Sequence, residues 1–511
     1  MNECGGERSS TVALALTGSP SVVASPIGDP LDAPKEGALS GRVKLGLRFS
    51  LINTVFSRLA TFAVGVVLAR LLVPEQFGLY TTALVVQTML LTFNDFGTAT
   101  ALVRHEGDVR RLLPTVWTIS VGGACAVYGV CLLTSSLLAS GLGVPQAAGL
   151  IRVLSLNVLL DGFAAVPGAL LTRNLRQARR LIADASGLVA NLVLTATLAA
   201  AGFGAWALVI GHVGGTVVVT VLLLVVAKQV PRFGISWKHT EEVIRYGGAV
   251  VVSSILMVLL QYAPQTITGR MLGATALGFF YLASNVSSWP ASVVTTTIER
   301  VGLATFSRAR DAGVDLDKAA SAVIGMVAMA VLPAGAALAL LAPEVVDVVY
   351  GDKWAPAAPV LAGLAVAAIA RVLADLVFNL MITAGSALSS VLVQVIWLFA
   401  LVPAAITATA RWGLVGMGWA VAVVACLVAL PVHVWGLRRA GVRVHVLLRG
   451  LALPVLFTVI TVATLLFLSL IVHGTLPYLL VGGAVTAIVV TVGWLARGDR
   501  LTLALDTPVK A

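Results

Sequence analysis

An all-α polytopic membrane protein of about fourteen transmembrane helices is the fold class that this sequence predicts. Composition, the spacing of apolar runs and the placement of basic residues all point to it. Of 511 residues, 59% are hydrophobic and 11% charged, with a mean hydropathy of +0.99. A soluble domain is about 45–50% apolar and about 25% charged. A water-soluble fold of this length has too little interior to hide so much apolar surface, so the surrounding medium is lipid.

A span takes about 20 apolar residues. Apolar runs fall near 46–72, 79–103, 113–140, 147–171, 181–201, 204–227, 244–268, 276–299, 319–342, 357–383, 387–410, 413–437, 446–472 and 475–496. Several contain proline (Pro167, Pro264, Pro290, Pro333, Pro403), which membrane helices tolerate because neighbours re-satisfy the freed carbonyls. Residues 1–40 are rich in Gly, Pro, Ala and Ser and read as a disordered cytoplasmic tail, or as an overextended gene start. Their apolar stretch Thr11–Leu16 is too short for a signal peptide.

The net charge of +11 does not imply nucleic acid, because the basic residues sit in short loops between apolar runs. Alternate loops and both ends of the chain hold 27 of the 34 Lys and Arg residues. The opposite side holds Arg70, Arg270, Lys353 and Arg411, while Arg58, Arg152 and Arg371 lie within runs. By the positive-inside rule both termini are cytoplasmic, as an even number of spans requires. Cys125, Cys131 and Cys426 lie inside apolar runs, with neither metal-ligand nor disulfide spacing. No glycine-rich phosphate loop is present, so the sequence calls for no cofactor and no ATP hydrolysis on this chain. The longest outward loop, Ala342–Pro356, reads as solvated: Asp347 and Asp352 lack an accompanying His or nucleophile.

The chain repeats itself. The turn Ala69-Arg70-Leu71-Leu72-Val73-Pro74-Glu75-Gln76-Phe77-Gly78-Leu79-Tyr80 matches Gly269–Phe280 at an offset of 200, with Arg, Leu and Gly coinciding. The polar positions follow the same offset: Thr54 with Ser254, Thr61 with Gln261, Thr88 with Ser288, Thr92 with Ser292, Asp95 with Thr295. Gly204-Ala205-Trp206 resembles Gly413-Leu414-Val415, with the offset drifted to 209. The predicted domains are therefore a tail (1–40), an N-lobe of helices 1–6 (41–240), a C-lobe of helices 7–12 (241–440), and two further helices with a short tail (441–511). An even number of spans per unit makes the repeat parallel, as in transporters whose two lobes rock about a central site.

Helical spacing groups Thr54, Ser57, Arg58 and Thr61 on one face, and Ser254, Gln261, Gln265 and Thr268 on another. Thr88, Thr92 and Asp95 form a third stripe, and Asn285, Ser288, Ser292 and Thr295 a fourth. Lipid cannot host these groups cheaply, so they face other helices or a shared aqueous cavity.

The segment Ala69–Tyr80, followed by Asp95-Phe96-Gly97-Thr98-Ala99 and Leu102-Val103-Arg104, resembles the opening of the polysaccharide-export flippases. These Wzx-like lipid-linked oligosaccharide translocases are a branch of the multidrug/oligosaccharidyl-lipid/polysaccharide exporter superfamily. The resemblance covers about 45–495, with its most specific motif at the opening. It implies two six-helix bundles, two extra helices and alternating access. The implied cargo is an oligosaccharide on an undecaprenyl-type pyrophosphate carrier. The implied partners are membrane lipids and, in an assembly complex, a polysaccharide polymerase and glycosyltransferases.

On this reading Arg58 is a candidate for the carrier pyrophosphate, with its paired donors suited to phosphate oxygens; the structural alternative is an ion pair with Asp95. Thr54, Thr61, Gln261, Gln265, Asn285 and Arg371 are further cavity candidates. Arg371 and Asp375, one turn apart with Asn379 beyond, also fit an intrahelical salt bridge. Asp95, Asp161 and Asp375 are candidates for proton or sodium coupling; a helix cap at Asp95 and a brace at Asp161 are the plain alternatives. Arg48 and Arg104 near the cytoplasmic mouth fit either headgroup entry or topology. Arg70 and Arg270, at repeat-related turns, fit an architectural role better than sugar contact. A cation-coupled drug exporter and a non-transporting assembly scaffold remain as rival functions. A membrane polymerase or glycosyltransferase would need a large outward loop, which the sequence lacks.

Overall fold

The computed structural model describes residues 65–94, 109–173, 176–227, 233, 234, 236, 255–290, 316–383, 387–439 and 444–506. All described secondary structure is helical. Nine described segments are long and apolar enough to cross a membrane, and one of them, Val391–Arg439, holds two helices. The protein is a multi-pass membrane protein.

The end of α1 (65–71) turns into α2 (Pro74–Asn94). Pro74 opens α2 where its missing N–H costs nothing, and the Val73 N–H donates to Gln76 Oε1 at 3.2 Å, half of a capping box. Then follow α3 (Val109–Gly141), α4 (Pro145–Arg173), α5 (Gln177–Ala200) and α6 (Ala205–Ala227). Residues 255–290 are helical, and Gly273, at φ 80, divides them into α7 (255–272) and α8 (274–290). The second half continues with α9 (Leu316–Leu340), α10 (Ala358–Thr383), α11 (387–412) and α12 (414–439). The chain closes with α13 (Val444–Ile471) and α14 (Thr475–Asp506), both packed against α9.

Left-handed glycines mark corresponding turns of the two halves. Gly204 (φ 56) opens α6 and Gly413 (φ 59) opens α12, at the offset of 209 that the sequence shows. Gly143 (φ 78) and Gly351 (φ 90) form a second such pair, at an offset of 208 that similarity alone did not reveal. A side chain is strained in this conformation, so these four positions hold the turns in one shape.

The stretch Ala342–Ala357 is not a solvated loop. It folds as a helical turn (Ala342–Val345), a π turn (Val346–Tyr350) and a 3₁₀ turn (Asp352–Ala357). Trp354 within it is fully buried. An indole seals an interface well when its N–H finds an acceptor, and here it does.

Small residues let helices approach where no hydrophobic effect drives them together. Gly187 on α5 and Gly215 on α6 face one another: a Cβ on Gly215 would stand 2.7 Å from the Gly187 carbonyl oxygen. Gly187→Val should therefore lower stability by about 1–3 kcal/mol through overpacking, read as a lower thermal midpoint in detergent. Gly483→Val, at an exposed position with nothing within 4 Å of its Cβ, should leave the midpoint unchanged.

Candidate functional site: a reciprocal clamp over a polar layer

Among the described residues the two halves come into backbone contact where α2 crosses α8. A Cβ on Gly78 would collide with the Ala274 carbonyl oxygen, and a Cβ on Gly278 with the Pro74 carbonyl oxygen. Gly78 and Gly278 are repeat-related, as are Pro74 and Ala274. The contact is thus reciprocal: each half presents its glycine to the same site on the other.

The arginines of the repeated turn are reciprocal too. Arg70 donates from Nη2 to Val348 O at 2.7 Å and from Nε to Val349 O at 3.2 Å. Arg270 donates from Nη1 to Gly141 O. Val349 and Gly141 each lie two residues before a left-handed glycine, Gly351 and Gly143, and are related by the 208-residue offset. Each arginine therefore caps carbonyls at a helix end in the opposite half. Terminal carbonyls have no intrahelical donor and carry partial negative charge, so a guanidinium suits them. Both arginines are architectural.

The Arg70 side carries a second set of contacts. Lys353 Nζ donates to Arg70 O at 3.0 Å and Leu72 O at 2.9 Å. Trp354 Nε1 donates to Ala69 O at 2.9 Å. Its ring meets Phe77 and Phe279 edge-on, with centroids 5.2 and 5.9 Å apart and interplanar angles of 88°. Together these residues close one end of the molecule, the clamped end.

A polar layer lies directly beneath. Tyr80, two residues after Gly78, meets Tyr281 edge-on at 6.2 Å and 85°, and its hydroxyl lies 2.8 Å from His212 Nδ1 on α6. The Asn285 side chain lies beside the Tyr281 hydroxyl. A cavity with room for about one water opens between Thr82, Leu142, Gln265 and Thr266. Gln265 Oε1 and Thr266 Oγ1 are buried without a protein partner among the described residues.

Of the residues singled out in the sequence, Gln265 lines the small cavity and Asn285 lies beside Tyr281. Gln261, one turn from Gln265, is exposed. Thr88, Thr92, Thr268 and Ser288 donate back to carbonyls of their own helices, which meets their needs without a cavity. Arg371, Asp375 and Asn379 share an exposed face of α10. No ion pair joins Arg371 to Asp375 among the described residues, so the intrahelical bridge is not formed; Asp375 has a partner of its own, as does half-buried Asp161. Thr54, Arg58, Thr61, Asp95, Arg48 and Arg104 lie outside the described residues.

Sequence reading missed Tyr80, His212, Tyr281, Lys353 and Trp354. A histidine inside the apolar run 204–227 was the available signal for one of them. Trp354 and Lys353 gave none, since only the fold brings them against the Arg70 turn.

A family profile described as polysaccharide biosynthesis protein matches residues 67–359, which contain both arginines, both crossing glycines and Trp354. The chain belongs to the polysaccharide biosynthesis protein family. It is 26% identical over 376 residues to the lipopolysaccharide biosynthesis protein WzxC of Escherichia coli K12, covering 73% of this chain and 76% of that protein. It is 27% identical over 316 residues to the succinoglycan biosynthesis transport protein ExoT of Rhizobium meliloti, covering 61% of this chain and 64% of that protein. The fold is similar to the lipid II flippase MurJ in an inward closed conformation, with a TM-score of 0.74 at 11% identity, over 89% of this chain and all of that one. An inward-facing multidrug MATE transporter gives 0.59 at 18% identity, over 76% of this chain and 98% of that one. At these identities the likeness to both structures is one of fold.

Replacing both arginines, Arg70→Ala with Arg270→Ala, should loosen the clamped end. Thiol labelling at a cysteine placed on the buried face of the clamp, Phe77→Cys, should quicken more in the double variant than in either single one.

Proposed function

We propose that this protein moves a polyprenyl-pyrophosphate-linked oligosaccharide across the bacterial cytoplasmic membrane by alternating access. The observation that carries the reading is the reciprocal clamp over a polar layer. Such contacts between the two halves at one end are what a rocking transporter needs in order to seal that side while its cavity serves the other. The family, the transport named for ExoT and the flipping named for MurJ support a lipid-linked sugar as cargo.

In this account residues 41–240 and 241–440 are the two lobes, with 1–40 as a tail and 441–511 as the added helices and short tail. Both termini are cytoplasmic by the distribution of Lys and Arg. The clamped end, which carries Arg70, Arg270 and Lys353, then faces outward. The cargo headgroup enters from the cytoplasm, past Arg48 and Arg104, while its polyprenyl tail stays in lipid. Arg58 holds the pyrophosphate, and Thr54, Thr61, Gln261, Gln265, Asn285 and Arg371 offer hydrogen bonds to the sugar or carrier. Asp95, Asp161 and Asp375 are the acidic candidates for coupling to protons or sodium. A polymerase and glycosyltransferases are the expected neighbours in the membrane.

The fold likeness to a multidrug transporter favours one second reading, a cation-coupled small-molecule exporter. Proteoliposomes loaded with a fluorescent undecaprenyl-pyrophosphate oligosaccharide separate the two. The flippase reading expects the probe to cross with the native protein, and Arg58→Ala to slow it about tenfold or more, the effect of losing a charge-assisted hydrogen bond worth about 1.5–3 kcal/mol. Failure of the native protein to move this probe, with uptake of a cationic dye instead, favours the exporter.

A further inference from the structure

A histidine inside a membrane span requires an explanation, because an ionisable group is costly there and is functional by default. The described spans hold two. His433 on α12 has Nδ1 2.7 Å from Ala429 O, a carbonyl of its own helix, and its ring meets Trp397. Those contacts lock it locally. His212 on α6 differs: its Nδ1 faces the Tyr80 hydroxyl of α2 at 2.8 Å. Tyr80, two residues past Gly78, in turn meets Tyr281 of α8, three residues past Gly278. The imidazole is thus one hydrogen bond away from the surface where the two halves of the chain touch.

We infer that His212 is a proton-binding site whose occupancy controls whether the clamped end stays shut. The inference rests on the alternating-access reading, not on the nature of the cargo. In the closed arrangement a neutral imidazole with its proton on Nε2 accepts a hydrogen bond from the Tyr80 O–H at Nδ1. A proton taken up from water at Nδ1 abolishes that acceptor. The imidazolium then donates to the Tyr80 oxygen, and the Tyr80 O–H must turn to another acceptor at the interface of the halves.

The sign follows from the surroundings. Tyr80 is the titratable group facing His212 from α2, with Tyr281 and Tyr262 close behind it. Among the described residues no carboxylate of α4 or α5 hydrogen-bonds or ion-pairs with the ring. Asp161 of α4 has another partner, and Asp184 of α5 pairs with Arg180 at 3.9 Å. The cations Arg152 and Arg173 of α4 are also engaged, Arg152 by Ser135 and Ser136. Arg179 of α5 lies near the start of that helix, and Glu75 in the first turn of α2. A cation created at this half-buried site, with no carboxylate paired to it among the described residues, is costly. Protonation therefore favours the arrangement that admits water, with the clamped end open.

Spin labels on Leu71→Cys and Met271→Cys, exposed and repeat-related at the clamped end, report the opening as an interlabel distance in nanodiscs without cargo, the native cysteines being replaced. Between pH 8 and pH 5 the native pair should shift toward the longer distance, and His212→Asn should hold one distribution across the range. Tyr80→Phe, which keeps the ring and removes the hydroxyl, should also flatten the response, and it serves if His212→Asn does not fold. A native distribution that ignores pH overturns the inference, as does a pH response that survives in both variants. Because no cargo is present, a pH-driven opening in a protein that flips no oligosaccharide would keep the proton site and discard the cargo assignment.

Discussion

Two helix backbones can touch only where no Cβ stands between them, and where α2 crosses α8 both Cβ atoms are missing. Gly78 and Gly278 each admit a carbonyl of the opposite helix, Ala274 O and Pro74 O. Everything else at the clamped end depends on that approach. It brings Phe77 and Phe279 edge-on to the Trp354 ring and Tyr80 against Tyr281. It also sets the reach over which Arg70 and Arg270 find carbonyls in the other half. A methyl group at either glycine would force the helices apart and break the register of all these contacts together.

The materials of the clamp suit a contact that must be made and released. Arginine, lysine and indole donors bind backbone carbonyls at helix ends, and water can take their place when the end opens. Each such bond contributes only about 0.5–1.5 kcal/mol net, somewhat more where the donor is charged. The apolar part is small: one buried tryptophan flanked by two phenylalanines. A ligand moves a two-state equilibrium only by its differential affinity for the two states. A clamp of this modest strength leaves cargo or a proton able to tip it. By contrast, α5 against α6, within one half, is held by close backbone approach: Gly187 meets Gly215, and Gly211 meets Thr195.

The repeat and the helices were legible because lipid imposes simple rules: long apolar runs, loops marked by Arg and Lys, and small residues where helices touch. The offset of 200 found Arg70 with Arg270 and Gly78 with Gly278 before their contacts were known. The polar stripes were less informative. Serine and threonine can satisfy themselves on their own helix, as Thr88, Thr92 and Thr268 do. A stripe of hydroxyls therefore does not distinguish a cavity from a packed face. An amide is harder to satisfy on its own helix, and Gln265 Oε1 is buried at the small cavity without a partner among the described residues. Trp354 and Lys353 could not be read from spacing: they lie some 280 residues from the carbonyls they bind. His212 was visible as a histidine within an apolar run but gained its meaning only from Tyr80, on a helix 132 residues away.

The central claim is that the clamped end must open and close for anything to cross. Its most direct test is a reversible lock. In a protein freed of its native cysteines, Arg70→Cys with Val349→Cys places two thiols where a guanidinium now spans the gap to Val349 O, within reach of a short, reductively cleavable thiol crosslinker. The account predicts that crosslinking stops movement of the lipid-linked oligosaccharide probe in proteoliposomes and that reduction restores it. Transport at the native rate with the lock in place would contradict it.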